Sequence, residues 1–519
     1  MRTLTASLLA GAMLITTVLT PGQARAEAPA KATDTGSKKA DTDTIEVSAV
    51  ETAHPVARSI PFRGTTLNYT VTPGTLTIRN DEGVATASLF YVAYTVKTAP
   101  GAPPRPVSFL YNGGPGSSTM WLHLGSFGPL KINMDGPDIV PAAPVKLTAN
   151  PDTLLDKTDL VFIDAPTTGL SRMIGKTEGK TVFGVDGDLD AFSRGIQRYL
   201  KVYSRWDSPK FLIGESYGTL RSAGLAHLLA EKGVQLNGVA LVSTTLNIGL
   251  LFQANDRGFV NMLPTEAATA WYHNRLTNRP ADLDAFLAEV RAFAEGPYAA
   301  ALAKGTAVPV AERDAVAAKA AAYTGTSAQF FLNNNLRPDP DRFRKELLRG
   351  ERKTVGRLDS RFLGQDADAG GEGTEYDPTD TAMTGAWVST INDYLFRDLC
   401  YETNLTYRPN NYAAQEGDGW NWKHRVEGQG SQISADTSVD LAAALRRNPR
   451  LKLLNIAGYY DMATPFFGAE YDLRHMAVDG DRQKNITYRY YPAGHMVYIE
   501  PNSARQLRLD IEAWMDTAK

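Results

Sequence analysis

The chain has 519 residues, of which 43% are hydrophobic and 21% are charged, and this composition excludes a disordered or fibrous protein. Its 57 acidic and 54 basic side chains leave a formal net charge of −3, which gives no electrostatic reason to expect a nucleic-acid partner. A chain of this length is long enough for one large core interrupted by an insertion.

The first 26 residues are expected to be a signal peptide. Arg2 supplies a positive charge, residues 4–19 are mostly apolar, and Ala24 and Ala26 are the small residues that a signal peptidase reads. The apolar run is shorter than the roughly 20 residues needed to span a bilayer, so cleavage near Ala26 is favoured over a membrane anchor. We therefore expect an exported protein, periplasmic or extracellular, with no membrane span in the mature chain.

Export would permit disulfides, but Cys400 is the only cysteine. An intramolecular bridge and a thiolate metal cluster are both excluded. Because Leu399 and Tyr401 flank it, Cys400 is predicted to be a small buried hydrophobic side chain.

The chain after the signal peptide begins with a segment unlike the rest. Residues 27–50 are small and polar, which predicts a flexible linker. Residues 67–72 and 87–96 are rich in β-branched and aromatic side chains and predict antiparallel strands. The turn residues at 73–74 and 81–83 are predicted to connect them.

Short apolar runs without alternation follow, and such runs are typical of parallel strands that are buried on both faces. They cover residues 107–111, 160–163, 211–213, 239–242, 451–456 and 486–491. Helical segments at 189–202 and 219–232 lie between some of these runs. Strands and helices in alternation predict an α/β fold with a mostly parallel central sheet and an antiparallel N-terminal part.

Between about 250 and 400 the strand pattern gives way to Ala- and Glu-rich helical segments, which predicts a helical cap inserted into the sheet. The predicted organisation therefore has five parts. They are the signal peptide 1–26, the linker 27–50, the first core part 51–250, the cap 251–400 and the second core part 401–519.

A Gly-x-Ser-x-Gly motif centred on Ser216 is the clearest chemical signal. Gly214 and Gly218 flank it, the strand 211–213 precedes it and the helix 219–232 follows it. In that setting the motif is a nucleophile elbow, a tight turn that presents the serine hydroxyl. A serine hydroxyl needs a histidine base and an orienting carboxylate, which follow it in the order Ser, Asp, His in α/β-hydrolases.

The C-terminal region supplies both groups. Asp461 comes just after the strand 451–456, in a Gly-containing turn, and His495 follows the strand 486–491. Open α/β sheets place their sites at the carboxyl ends of strands. Ser216, Asp461 and His495 are therefore the predicted triad.

Other histidines and aspartates are weaker candidates for the base and the carboxylate. Of the seven histidines, His123 follows a Gly-rich loop but precedes the serine, and His227 falls inside the helix after the elbow. Three aspartates lie close to Asp461 without following a strand and a Gly-containing turn. They are Asp472, Asp479 and Asp481.

The chain resembles the serine carboxypeptidase family at several motifs in family order. The loop Asn-Gly-Gly-Pro-Gly-Ser-Ser occupies 112–118, the elbow Gly-Glu-Ser-Tyr-Gly occupies 214–218, and Gly-His-Met-Val occupies 494–497. Residues 164–171 also look like the family segment before the elbow. The resemblance implies an α/β-hydrolase that releases C-terminal residues from peptides through an acyl-enzyme, without a cofactor.

The resemblance also implies roles for individual residues. Gly114 and Tyr217 would donate backbone N–H groups to the oxyanion, where such donors stabilise the developing charge. Asn112 and Glu215 would bind the free C-terminal carboxylate of the peptide substrate. Because two close anions repel, cleavage is predicted to be favoured at acidic pH and to fall as Glu215 ionises.

The chain departs from the family pattern in four places. Leu110 stands where the family usually has tryptophan, and Ser117 replaces a loop cysteine. Tyr498 stands where a proline is expected after His-Met-Val, and the elbow continues Gly218-Thr219 rather than Ala-Gly. The first departure puts part of the carboxylate-binding network in question.

Competing interpretations keep the same triad or discard it. A prolyl aminopeptidase also carries a Gly-Gly-Pro-Gly loop, but it usually has histidine before the loop and tryptophan after the serine, where this chain has Asn112 and Tyr217. An esterase or acyltransferase would use the same triad. A non-catalytic binding module is disfavoured by the intact Ser216, Asp461 and His495.

The acidic stretch 366–377 loosely resembles a calcium loop. It has Gly370 at position five and Asp377 in place of the glutamate at position twelve, so a solvated loop is favoured. We predict no metal site.

Overall fold

The computed structural model describes residues 46–134, 136–137, 143–251, 255–415, 419–426, 428 and 430–518. The predicted signal peptide 1–26 lies outside the described residues, as does the predicted linker up to residue 45. No helix in the described part of the chain combines the length and apolar character needed to cross a membrane.

The strands of the described residues are numbered in chain order. They are β1 (Val56–Phe62), β2 (Thr65–Arg79), β3 (Ala85–Thr95), β4 (Val107–Tyr111), β5 (Leu130–Ile132), β6 (Leu147–Ala149), β7 (Asp159–Ile163), β8 (Arg172–Met173), β9 (Lys210–Glu215), β10 (Gly238–Val242), β11 (Thr354–Val355), β12 (Leu363–Gly364), β13 (His424–Val426), β14 (Gly430–Gln432), β15 (Lys452–Gly458) and β16 (Ile486–Tyr491).

One large sheet organises the molecule, with the strand order β1-β2-β3-β7-β4-β9-β10-β15-β16 and with β8 paired to β3. Strands β7, β4, β9, β10, β15 and β16 run parallel to one another, whereas β1, β2 and β3 pair antiparallel. All residues of β4, β7, β9 and β10 are buried, as the absence of polar alternation predicted. For residues 486–491 this prediction is wrong, because β16 is an edge strand whose inner residues are partly exposed. The predicted mostly parallel sheet with an antiparallel N-terminal part is confirmed.

The predicted turn at residues 73–74 is wrong, because β2 continues through both residues. Strand β1 pairs with β2 only as far as Val71. The Pro73 carbonyl faces that side and accepts a hydrogen bond from the His54 N–H at 2.9 Å. The missing N–H of Pro73 faces the same side beyond the end of β1, so no ladder bond is lost there. At Gly74 a Cβ would lie 2.6 Å from the Tyr91 hydroxyl, so glycine marks a close approach rather than a turn.

Helices cover both faces of the sheet and build the cap. They are α1 (Met120–Gly125), α2 (Val185–Val202), α3 (Tyr217–Glu231), α4 (Ile248–Leu251), α5 (Asp256–Tyr272), α6 (Leu283–Phe293), α7 (Ala299–Ala303), α8 (Val310–Thr324), α9 (Ala328–Asn333), α10 (Pro340–Glu346), α11 (Pro378–Asn392), α12 (Tyr412–Gln415), α13 (Ser438–Arg447), α14 (Phe466–Arg474), α15 (Gly480–Gln483) and α16 (Pro501–Thr517).

Alternate residues of β9 enter different hydrophobic cores. Phe211 and Ile213 pack in the core that contains Trp514 of α16, whereas Leu212 packs in the core that contains Phe192 of α2 and Leu220 of α3. Side chains along a strand point alternately to the two faces of the sheet, so both faces need a helical layer. This two-sided burial fixes β9, and with it Ser216, deep in the sheet.

Strands β10 and β15 pair directly in the sheet, but the run of sheet strands along the chain is interrupted between them, and helices fill most of this interruption. Helices α5, α6, α8 and α9 share a third hydrophobic core built around residues such as Leu263, Leu287 and Phe331. Helix α13 also lies in the interruption, but Leu441 and Leu445 belong to the core on the α3 side of the sheet. The helical insertion is therefore observed, while the division into parts at residues 250 and 400 stays a prediction.

Cys400 is exposed, so its predicted burial is wrong. The backbone adopts a φ of 51° at this residue, just after a one-turn π-helix at Asp393–Asp398. Leu399 and Tyr401 are buried on either side of it. The reversal of the chain directs the two larger apolar side chains inward and leaves the small thiol outside.

Candidate active site

Ser216 lies at the turn between β9 and α3, where the backbone has a φ of 61° and a ψ of −130°. This conformation is rare for a residue other than glycine and carries strain. The Ser216 N–H donates to the Val242 carbonyl at 2.9 Å, which holds the turn to β10. A Cβ at Gly214 would overlap the carbonyl oxygen of Gly218, so the tight turn requires glycine there. The predicted nucleophile elbow is formed.

The Asp461 carboxylate and the His495 imidazole are hydrogen-bonded. The distance from His495 Nδ1 to Asp461 Oδ2 is 2.8 Å, and both residues are buried. Asp461 Oδ1 accepts the N–H groups of Ala463 and Thr464 at 2.8 and 3.0 Å, and Thr464 Oγ1 donates to Asp461 Oδ2 at 2.6 Å. The carboxylate is therefore held in one orientation toward the imidazole.

The alternative aspartates make other contacts. Asp472 accepts the Asn247 N–H at 3.3 Å, and Asp479 caps α15 by accepting from the Arg482 N–H at 2.8 Å. Asp481 forms an ion pair with Lys484 on the surface. The geometry thus favours Asp461 as the partner of His495.

The pKa of His495 is raised above its ordinary value. Burial alone would lower it, but the neighbouring Asp461 carboxylate stabilises the imidazolium by its charge and by its hydrogen bond. His495 and Ser216 line the same cavity, whose volume is about 490 Å³. The structure therefore brings the three predicted triad residues together at the edge of the sheet formed by the carboxyl ends of its parallel strands.

The Gly-rich loop after β4 lies against the start of α3. A Cβ at Gly113 would overlap the backbone nitrogen of Tyr217, and Gly114 has a φ of 106°. Gly113, Gly114 and Tyr217 all line the cavity that contains Ser216. Two backbone segments that were predicted to donate to an oxyanion therefore meet beside the serine.

Arg221 supports this loop from below, a role that the sequence did not reveal. Its guanidinium is fully buried, donates to the Asn112 carbonyl oxygen at 2.7 Å and forms an ion pair with Asp188 at 2.6 Å. It also lies over the ring of Tyr217, with Cζ 5.3 Å from the ring centroid. The sequence signal that could have found Arg221 is its position one helical turn after the elbow, on α3.

Asn112 and Glu215 form a buried pair at one end of the cavity. Asn112 Nδ2 donates to Glu215 Oε1 at 2.9 Å, and Asn112 Oδ1 accepts the Leu122 N–H at 3.0 Å. The second bond orients the amide so that its N–H groups face Glu215. Burial raises the pKa of Glu215 to about 7, although the nearby imidazole of His495 opposes this shift.

The remaining cavity wall combines three tryptophans with aliphatic and polar side chains, and it includes one cationic and one anionic residue, Arg357 and Asp380. Trp420 contacts the ring of Tyr217 edge to face at a centroid distance of 5.3 Å. Trp121, Trp422 and Arg357 also line the cavity. Such a wall suits a ligand with apolar side chains and a few polar groups.

A short segment of the insertion, residues 357–360, is bonded to both loops of the triad. The Leu358 carbonyl accepts the His495 N–H at 2.7 Å, and the Arg357 carbonyl accepts the Met462 N–H at 3.1 Å. Asp359 Oδ2 accepts the Gly494 N–H at 3.2 Å. No motif marked this segment, because two of these three bonds use backbone carbonyls, which every residue type has.

Two buried histidines outside the predicted triad, His123 and His424, bond to other side chains of the protein. His123 Nε2 lies 2.6 Å from the Tyr94 hydroxyl, and burial lowers its pKa to about 3. His424 is held between two carboxylates, with Nδ1 2.6 Å from Asp186 Oδ1 and Nε2 2.9 Å from Asp440 Oδ2. Burial opposes protonation of His424, but these two bonds outweigh it and raise its pKa to about 9.

The acidic stretch 366–377 satisfies its carboxylates within the protein. Asp366 is ion-paired with Lys345 in the interior, and Asp377 caps α11. Within the described ranges, no group of three or more His, Cys, Asp or Glu side chains is arranged to hold a metal ion.

Comparison with known proteins supports the motif-based resemblance. Residues 65–257 match the family model described as serine carboxypeptidase. The pheromone-processing carboxypeptidase KEX1 of Saccharomyces cerevisiae (strain ATCC 204508 / S288c) is 34% identical to this chain over 135 residues. That match covers 25% of this chain and 17% of the relative, so it spans a small part of the relative's length.

One solved structure shows the fold over most of the chain. It is the crystal structure of Kex1(delta)p, a prohormone-processing carboxypeptidase from Saccharomyces cerevisiae. The match has a TM-score of 0.52 at 15% sequence identity and covers 86% of this chain and 91% of that chain. Together with the sheet topology, it confirms the predicted α/β-hydrolase fold.

Proposed function

We propose that this chain, whose residues 65–257 match the serine carboxypeptidase family, is a serine-type carboxypeptidase that releases C-terminal residues from peptides. One observation carries the proposal. The buried Asn112–Glu215 pair, joined at 2.9 Å, lines the same cavity as Ser216 and His495. A pair that can bind a carboxylate beside a nucleophile selects the peptide bond next to a free C-terminus.

The chemistry follows from the positions of the triad. Ser216 Oγ attacks the scissile carbonyl carbon while His495 accepts its proton, and His495 then donates that proton to the leaving amine. Asp461 keeps the Nδ1–H of His495 in place and stabilises the imidazolium by its charge. The acyl-enzyme on Ser216 is hydrolysed by water that His495 deprotonates in the same way.

The oxyanion of each tetrahedral intermediate is stabilised by the backbone N–H groups of Gly114 and Tyr217. The close approach of Gly113 to the Tyr217 nitrogen supports this assignment, because it places the Gly-rich loop directly against the start of α3. Donors of this kind cost no reorganisation during the reaction, since the loop and the helix already hold them.

Binding of the substrate carboxylate depends on the protonation of Glu215. Protonated Glu215 is neutral, so it does not repel the substrate carboxylate, and its O–H can donate a hydrogen bond to it. The Asn112 amide offers a second donor. Since burial raises the pKa of Glu215 to about 7, its protonated form persists through acidic and near-neutral pH. Above that pH two anions face each other, so binding of free-acid peptides weakens.

Export is part of the same proposal. The charged, apolar and small-residue pattern of residues 1–26 supports cleavage near Ala26 and a periplasmic or extracellular location. Detection of a mature N-terminus at residue 27 in the periplasm or the medium would test it.

The proposed activity is tested with an N-blocked dipeptide and its C-terminal amide, using the wild type and Ser216→Ala. We expect release of the C-terminal amino acid from the free acid at acidic pH, at least about tenfold slower cleavage of the amide, and no release by the variant. Equal cleavage of both substrates would contradict a carboxypeptidase and favour an esterase or acyltransferase. Release of N-terminal proline from an unblocked peptide would instead favour a prolyl aminopeptidase.

A further inference from the structure

Glu215 has one satisfied and one unsatisfied carboxyl oxygen. Oε1 accepts from Asn112 Nδ2 at 2.9 Å. Oε2 is buried and has no hydrogen-bond partner among the described residues. A buried carboxyl oxygen without a partner is costly, so a donor or acceptor within reach of Oε2 is expected to act on it.

The Tyr498 hydroxyl is a second unsatisfied polar atom in the same place. Tyr498 is 3% exposed, and its Oη has no hydrogen-bond partner among the described residues. The phenol lies beside Glu215 and Asn112 and interacts electrostatically with Glu215. Two buried groups that each lack a partner therefore adjoin one another, three residues beyond His495.

The ring of Tyr498 packs in a slot against Gly125, where no larger side chain would fit. A Cβ at Gly125, the last residue of α1, would lie 2.7 Å from Cε2 of the Tyr498 ring. The indole of Trp387 also comes close to this slot, since the same Cβ would lie 3.3 Å from its Cζ2. Packing thus fixes the ring and leaves only rotation of the hydroxyl hydrogen to adapt.

We propose that Tyr498 is a positioning residue for Glu215, which holds Oε2 while Asn112 holds Oε1. The phenol donates to Oε2 in both protonation states, so the single O–H of the protonated acid stays available to the substrate carboxylate. Both oxygens are then fixed, and the plane of the carboxyl group is presented to the substrate carboxylate. This inference rests on the proposed carboxypeptidase function.

Four groups face Glu215 and set its ionisation. Burial and the charge of Asp461 favour the acid, whereas the imidazolium form of His495, the nearby Tyr498 hydroxyl and the Asn112 amide favour the carboxylate. A hydrogen bond donated to an ionised carboxylate is stronger than one exchanged with the neutral acid. Removal of the phenol hydroxyl therefore raises the pKa of Glu215.

The test is Tyr498→Phe, which keeps the ring in its slot and removes the hydroxyl. With a free-acid dipeptide at pH 5, we expect KM to rise about 3- to 10-fold, because the variant lacks one hydrogen bond that orients Glu215. The alkaline increase in KM should move to higher pH. Hydrolysis of an N-blocked amino-acid methyl ester, which has no free carboxylate, should keep its kcat/KM within about twofold. Tyr401→Phe is the matched control, because the Tyr401 hydroxyl contacts Thr52 at 3.3 Å instead.

A double-mutant cycle with Glu215→Ala separates positioning from a general loss of structure. In the Glu215→Ala background, Tyr498→Phe should change KM by less than about twofold, because no polar group at position 215 remains for the phenol to hold. The inference would be overturned if Tyr498→Phe left KM unchanged and the increase in KM at alkaline pH began at the same pH as in the wild type. An equal loss on the ester and the free acid, or additive effects in the cycle, would overturn it as well. A wild type that does not distinguish free acid from amide would refute the proposed function instead.

Discussion

Asp461 Oδ2 lies 2.8 Å from His495 Nδ1, and Thr464 Oγ1 donates to the same carboxylate oxygen at 2.6 Å. This carboxylate fixes the tautomer that leaves Nε2 free to accept a proton. In Asp461→Asn the amide can donate to Nδ1 and select the wrong tautomer, so we expect kcat to fall about 10³- to 10⁴-fold with little change in KM. The measurement is single-substrate kinetics near neutral pH.

Asp479→Asn is the matched control for that change. Asp479 is one of the sequence alternatives, and it caps α15. Asparagine caps helices about as well as aspartate does, so activity and stability should match the wild type. A comparable loss of kcat in both variants would contradict the assignment of Asp461.

Glu215→Gln should remove the pH dependence of substrate binding. Burial raises the pKa of Glu215 to about 7. In the wild type KM for a free-acid peptide should therefore be lowest below that pH and rise about tenfold for each pH unit above about 8. A glutamine stays neutral, so KM of the variant should stay nearly flat from pH 5 to 9. Glu231→Gln, at the far end of α3, should keep the wild-type profile.

Gly113→Ala should damage the reaction more than the fold. The added Cβ would overlap the backbone nitrogen of Tyr217 and displace the loop from the start of α3. Loss of one aligned oxyanion donor costs about 10²- to 10³-fold in kcat. The control is Gly385→Ala, an exposed helical site in α11 where a Cβ would meet nothing within 4 Å. That change should leave kcat unaltered and raise the free energy of unfolding by up to about 1 kcal/mol. Equal kcat values in the two variants would argue against the oxyanion assignment.

His424→Gln should lower stability in a pH-dependent way. Two carboxylates raise the pKa of His424 from 6.5 to about 9 in the folded protein, although burial opposes the shift. A raised pKa of a histidine contributes stability that is complete below the unfolded pKa and disappears as pH rises through the folded pKa. We expect a loss of about 1.5–3 kcal/mol near pH 6 that shrinks above pH 9.

Urea unfolding at a series of pH values measures this effect. His475→Gln serves as the reference, because His475 is exposed and bonds only to the Tyr471 carbonyl of its own helix. A constant difference between wild type and His424→Gln across the whole pH range would show that the imidazole is not charged in the folded state.

The elbow and the strand ends could be predicted because their signals are local. A parallel strand buried on both faces needs a continuous apolar run, and a strained turn needs glycines at fixed offsets. These two requirements located Ser216, and the order of the strands then led to Asp461 and His495. The turn assigned to residues 73–74 and the burial of Cys400 failed, because each depends on a neighbour that is remote in sequence or on the direction of a chain reversal.

Local sequence patterns were enough to predict the α/β class, the elbow and the identity of the polar groups near it, since local backbone geometry dictates those residue types. The folded chain was needed to show that Asn112 and Glu215, 103 residues apart, share a hydrogen bond and that Tyr498 adjoins them. It also decided that residues 357–360 bond to the triad loops. Burial and close packing arise from the whole fold, and the raised pKa of Glu215 is a consequence of that burial.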